Sequence, residues 1–443
     1  MDSASSPTLI IVGLDCLAPG LVFERWPDRL PTFRRLMDEG LWGPLRSTDP
    51  PITVPAWAAM FSGRDPGELG LYGFKHRRER GYFAHGLPTS DTVRWPRLWD
   101  LAGAAGIESL VLGVPQTWPP PEISGRLVSG FLCPGEDLPH TWPPALAAEL
   151  AARAPGYRFD VEGYRGRPLE AVRAEAEAMT DQRLELFEAW TRQRRERLAV
   201  WVEIALDRMH HCFWGDWDVL EAYYRRLDGA LARLLEARPD AWLMVVSDHG
   251  AQAMEGGVAL NEWLRARGDL VLRSPPPGPN TPLSRCEVDW GRTRAWAEGG
   301  YAGRVHLNLR GRDPEGCVAP EDAPALLAAL RAGLEAELGA TCFTPDERYR
   351  AAQGVPPDLT VYLEGMRQRA LGTLGGPLRS PPTGEGADAA NHDFEGVFLL
   401  RPPGGGAGQR LEGLEIYDVF ATACALLGLP QPAGTLGTPR LPS

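Results

Sequence analysis

"TLIIVGLD", residues 8–15, is an unbroken apolar run that ends on an acid. A strand buried on both faces reads this way, with a carboxylate delivered at its C-terminal end. "LAVWVEIALD" (198–207) and "AWLMVVSDHG" (241–250) repeat the pattern. Helices are expected over 30–40, with Gly40 as the stop, and over 95–106, 217–237, 320–338 and 415–430. Further strands are expected at 107–115, 306–312 and 396–400. Strands alternating with helices predict an α/β fold with a mostly parallel central sheet and helices on both faces. Ligands in such sheets sit beyond the carboxyl ends of the strands, so Asp15, Asp207 and Asp248 are expected on one rim. The chain reads as one domain over 1–443. Residues 116–196, with Pro clusters and then helical stretches, and 266–390, with short strands among Pro/Gly loops, are expected to be caps inserted into it.

The 443 residues are 44% apolar and 23% charged, enough for a full core. A net charge of −12 argues against a nucleic-acid polymer as partner, because phosphate backbones need a basic footprint. A small phosphate ester stays open, since bound cations reverse the local field. The seven cysteines are scattered, without a CxxC pair, as in a reducing compartment. The start, MDSASSPT, has no basic region ahead of its short apolar run, and no stretch reaches membrane-spanning length. A soluble cytoplasmic protein with no membrane partner is the expectation.

The carboxylates come with histidines. Asp207 and His211 are four residues apart, which puts them on one face if a helical turn begins there. Asp248 and His249 are adjacent, and His392 precedes a strand in "NHDFEG". Aspartate oxygens and imidazole nitrogens suit zinc, manganese or iron. Six such ligands exceed what one tetrahedral ion takes, so two divalent ions are the natural reading. Ion pairs roughly 3.5–4 Å apart serve in-line displacement at phosphorus. In "PPITVPAWAAMFSG" (50–63), Thr53 stands at the mouth of an apolar helix. It is either that helix's N-cap or a nucleophile. His210 reads as a neighbour of the site. His76, His85, His140 and His306 have no acid at ligand spacing and read as surface or loop residues.

"VGLDCLAP", "PPITVPAWAAMFSGRDPGELGLYGF", "DRMHHCFW", "VVSDHG" and "NHDFEGVFLL" together resemble the type I phosphodiesterase/nucleotide pyrophosphatase branch of the alkaline phosphatase superfamily. The resemblance implies an alkaline phosphatase-like core. It implies one metal, usually zinc, on Asp207, His211 and His392, and a second on Asp15, Asp248 and His249 with Thr53. Thr53 would be the nucleophile of a covalent phospho-threonine. Family members carry an asparagine past the nucleophile that contacts a phosphoryl oxygen. Here that stretch reads "GLYGFKHRR" (70–78), with Phe74 near the place. Lys75 and Arg77, or Arg78, are the candidates for a positive substrate contact, and a solvated loop is the alternative. "TVPAW" (53–57) lacks the arginine and the Cys or Ser of a sulfatase site. The expected activity is hydrolysis of a small-molecule or nucleotide phosphoric ester. Phosphoryl or nucleotidyl transfer through the same site, or binding of a phosphorylated metabolite without turnover, remain the alternatives.

Overall fold

The computed structural model describes residues 8–78, 81–193, 195–382 and 388–442; the first seven residues, part of the start read above, lie outside them. Contacts divide the chain into two units. The first is Met1–Asp65, Pro88–Ala251 and Asp393–Ser443; the second is Pro66–Leu87 and Gln252–His392.

Among the described residues, the first unit is built on a sheet of ten strands. They are β1 (Leu9–Leu14), β2 (Leu41–Arg46), β3 (Ser109–Leu112), β4 (Gly125–Val128), β5 (Thr141–Trp142), β6 (Leu198–Glu203), β7 (Trp242–Val246), β8 (Glu395–Arg401), β9 (Gln409–Arg410) and β10 (Leu414–Glu415). The order is β9-β2-β8-β7-β1-β6-β3-β4-β5, with β10 beside β2. The centre, β7-β1-β6-β3-β4, is parallel. β8 joins β7 antiparallel, and so does β5 to β4. Every residue of β1, β3 and β6 is buried, which is why these strands read as continuous apolar runs.

The helices that matter for the site are α1 (Pro31–Glu39), α2 (Thr53–Ser62), α3 (Leu98–Ala104), α4 (Leu169–Thr191), α5 (Ala205–Phe213), α6 (Trp217–Ala237) and α7 (Tyr417–Leu427). Trp57, Met60 and Phe61 of α2, Leu98 and Trp99 of α3, and Phe420 of α7 share one core with Leu9, Ile11, Val200 and Val246. Ile10 and Val12 alternate with these on β1 and are equally buried. On that side α4 packs against β6 and α5, and α6 against α1 and α5.

One expectation is corrected. "LAVWVEIALD" does not stay a strand to Asp207: β6 ends at Glu203 and Asp207 lies in the first turn of α5. The Glu203 carboxylate accepts the Ala205 N–H (2.8 Å), which turns the chain into the helix. Residues 116–196 belong to the first unit itself. There β4 and β5 extend the main sheet, their short spans hidden in the sequence by flanking prolines.

The second unit contains 266–390 but also the earlier segment Pro66–Leu87. Among its described residues, strands Ala295–Glu298, Gly303–Leu307, Leu359–Leu363, Gln368–Leu371, Gly256–Ala259 and Arg379–Ser380 lie side by side in that order, with Ala340–Phe343 beside Leu359–Leu363. It buries its own core, around Trp296, Leu307, Leu334 and Val361.

Candidate metal centre

Parallel register sets Gly13 opposite Val246 and Leu14 opposite Glu203. The chain therefore leaves β1, β6 and β7 at one rim, where Asp15, Asp207 and Asp248 lie close enough for their charges to add to burial in raising the Asp15 and Asp248 carboxyls. All three carboxylates are at most 1% exposed.

Asp15 is fixed by α2. A Cβ on Gly13 would collide with the Trp57 ring, so glycine at that strand position lets the indole settle on β1. Trp57 Nε1–H then donates to Asp15 Oδ2 at 2.7 Å. Asp248 is fixed by the residue after Asp15. Cys16 takes a left-handed φ of 68°, uncommon for a side-chain-bearing residue, and its N–H donates to Asp248 Oδ1 (3.1 Å). The Ser247 hydroxyl accepts the Leu17 N–H (2.8 Å) and donates to the His249 carbonyl (2.6 Å). The Ser47 hydroxyl donates to the Asp248 carbonyl.

Thr53 is the first residue of α2, and the cap position belongs to Ile52. Its hydroxyl is therefore not an N-cap. Oγ1 lies 3.4 Å from His249 Nε2, at the positive end of a fully buried helix. On α5, His211 Nε2 is 3.3 Å from Asp207 Oδ1, one helical turn away. His210 faces elsewhere, its Nε2 3.0 Å from the Tyr224 hydroxyl in α6. Asp207 and His249 also offer ligand atoms within 4.8 Å of one another.

His249 carries the decisive detail. Its Nδ1 is 3.1 Å from the Gly250 carbonyl, which only accepts, so in the neutral ring Nδ1 holds the proton and Nε2 presents a lone pair. That nitrogen faces Asp248 Oδ2 at 3.2 Å and Asp15 Oδ1 at 3.8 Å. Neither of those oxygens has a hydrogen-bond partner among the described residues. Acceptors thus face acceptors in a buried site. Burial, then the charges of Asp248 and Asp207, pushes the Asp15 carboxyl well above its ordinary range. Burial and the Asp207 charge do the same to Asp248 against the Cys16 N–H that favours its anion. A divalent cation removes both conflicts, and carboxylate plus imidazole is its usual donor set. Asp15, Asp248 and His249 each offer a ligand atom within 4.8 Å of the others.

His392 is the last residue of the second unit, on the strand Ala390–Asp393, and is buried. Its carbonyl accepts from Gln252 (3.0 Å) and its ring centre lies 4.0 Å from that of Tyr301. Lys75 is exposed, whereas Arg77 is buried in an ion pair with Asp313, 5.2 Å from the Trp296 ring.

Two groups escaped the sequence. Arg208, beside Asp207, pairs with it and with Asp160. His85 and His306 were expected on the surface or in loops without an acid partner. Instead His306 is 1% exposed, and both rings pair with Glu298. Glu298 and His306 sit diagonally across the antiparallel pair Ala295–Glu298/Gly303–Leu307, a contact that helical spacing cannot reveal.

A family model described as type I phosphodiesterase / nucleotide pyrophosphatase matches residues 9–364. Among curated proteins, none matches this sequence. Human ectonucleotide pyrophosphatase/phosphodiesterase 5 superposes with a TM-score of 0.61 at 13% identity, over 97% of each chain. Its murine counterpart, an inactive variant in complex with AMP, gives 0.60 at 12%, over 98% of this chain and 97% of that one. These likenesses show a shared fold.

Proposed function

The chain belongs to the type I phosphodiesterase/nucleotide pyrophosphatase family, and from that premise we propose that it hydrolyses a small phosphoric ester with two divalent cations and a covalent phospho-threonine. The observation that carries the reading is His249 Nε2, a lone pair facing two partnerless carboxylate oxygens with the Thr53 hydroxyl 3.4 Å away. Asp15, Asp248 and His249 hold one cation with Thr53. Asp207 and His211 hold the other, which His392 joins by its sequence motif. Zinc is the metal this donor set suits best. Bound there, the cations supply charge neutralisation at the phosphoryl group and a lowered pKa for the hydroxyl.

The chain's own part is orientation. The N-terminus of α2 aims Oγ1 at phosphorus and adds positive potential. The Oγ–P bond forms as the bond from phosphorus to the leaving alcohol breaks, and the threonine proton ends on that alcohol. Water then cleaves Oγ–P and restores the hydroxyl. A nucleotide fits as the substrate class, since AMP is the ligand of the murine neighbour. Lys75 is the exposed cation proposed to meet a substrate anion. A reducing, cytoplasmic setting is supported by seven scattered cysteines without a CxxC pair. Among the described residues, no helix is long and apolar enough to cross a membrane.

The test is Thr53→Ala assayed on bis-p-nitrophenyl phosphate and the monoester with zinc or manganese. Turnover should fall by several orders of magnitude while metal content stays at the wild-type level. Full activity in the variant would remove Thr53 from the chemistry. Metal uptake without turnover of any ester by the wild type would favour a binding protein.

A further inference from the structure

Arg208 follows a proposed metal ligand in sequence and is buried, so its charge must be answered locally. Asp160 answers it in a two-pronged pair. Nε donates to Oδ1 at 2.8 Å and Nη2 to Oδ2 at 3.0 Å. The remaining arm, Nη1, donates to Asp207 Oδ2. One oxygen of Asp207 is thus anchored, and the other faces His211 at 3.3 Å. The same loop reaches the ligand pair a second time. Tyr164, four residues after Asp160, stacks beside the His211 ring with centres 6.1 Å apart and planes 21° apart. The Arg208 guanidinium also lies 5.2 Å from the Tyr164 ring.

We propose that Asp160, acting through Arg208, is a positioning residue for Asp207 and sets the affinity of the cation that Asp207 and His211 take. This rests on the reading of those two residues as metal ligands. The electrostatics require both members of the pair. A lone guanidinium beside a dication site repels the ion, whereas Asp160 and Arg208 together add no net charge and keep only the orienting hydrogen bond. Removing Asp160 loosens the fork and exposes the arginine charge, and both effects weaken the metal. The Asp160 side chain is 19% exposed, so an isosteric amide is tolerated there.

Metal-stripped wild type, Asp160→Asn and Arg208→Lys are titrated with zinc by calorimetry, and turnover of a p-nitrophenyl ester is followed against zinc concentration. The wild type should take two equivalents. Asp160→Asn should bind one equivalent about 10–100-fold more weakly and the other normally, and excess zinc should restore its kcat. Arg208→Lys keeps the charge but loses the fork, and should shift the same equivalent. Unchanged affinity of both equivalents in a folded Asp160→Asn protein overturns the proposal, as does a loss of kcat that zinc does not rescue. No uptake by the wild type overturns the metal reading itself, and this proposal with it.

Discussion

The two units each set an acid among histidines, buried in the first and half-buried in the second, and the two clusters have opposite chemistry. In the second, the ion-pair contacts to Glu298 among the described residues come from groups able to donate a proton: His85, His306 at 3.4 Å and Arg304 at 3.4 Å. Burial alone would raise the Glu298 carboxyl, but Arg304 and the two imidazoles outweigh it and hold it well below the usual range. In the first, Asp15 Oδ1 and Asp248 Oδ2 face Nε2 of His249, and both carboxyls are raised. Residue types alone do not separate these clusters. What separates them is whether protons or lone pairs point inward. One is a closed structural network; the other is the cluster proposed to take a cation.

Asp248→Asn should separate the clusters most strongly. It removes an anionic ligand, so one zinc equivalent should disappear from calorimetric titration and turnover should be lost. In metal-stripped protein the same change should stabilise the fold. A carboxyl with a raised folded pKa binds more protons folded than unfolded. Its contribution is intact below about pH 4, the unfolded value, and is lost as pH rises toward the folded one. The thermal-melting advantage of the amide over metal-stripped wild type should therefore grow as pH rises above about 4. A constant difference would mean that Asp248 is already satisfied without metal.

The histidine pair gives the next effect. His211→Ala should weaken one zinc equivalent, whereas His210→Phe should leave both affinities unchanged because His210 contacts Tyr224. Equal losses in the two variants would contradict the division between these neighbours. The smallest effect is expected from Glu298→Gln, which should cost about 1–3 kcal/mol of stability with no change in metal content. The sign with pH is reversed here. A depressed carboxyl contributes above its unfolded value, near pH 4.3, and that contribution is lost as pH falls toward the folded pKa. Urea melts of variant and wild type should then converge in acid.

Much of the first unit could be read from residues because its signals are local. Leu9–Leu14 and Trp242–Val246 announce themselves as buried strands, and the acids after them share a rim because parallel strands start and stop together. Asp207 and His211 were legible through their spacing, although the helix carrying them begins earlier than the apolar pattern implied. The role of Thr53 was ambiguous in sequence, since an N-cap and an aimed hydroxyl occupy nearly the same place; the cap at Ile52 removes the first reading and leaves the second as the proposal. Arg208 with Asp160 stayed hidden, since 48 residues separate them and only packing joins them. So did Glu298 with His306, whose pairing depends on strand register. The interleaving of Pro66–Leu87 with Gln252–His392 leaves no mark in composition.

Anomalous diffraction at the zinc edge, on crystals grown with zinc, tests the lone-pair arrangement most directly. A peak within ligand distance of His249 Nε2, Asp15 Oδ1 and Asp248 Oδ2 is the expected result. Full zinc loading of other residues with no peak there, and a protonated Nε2 donating to Asp248 in its place, would contradict it.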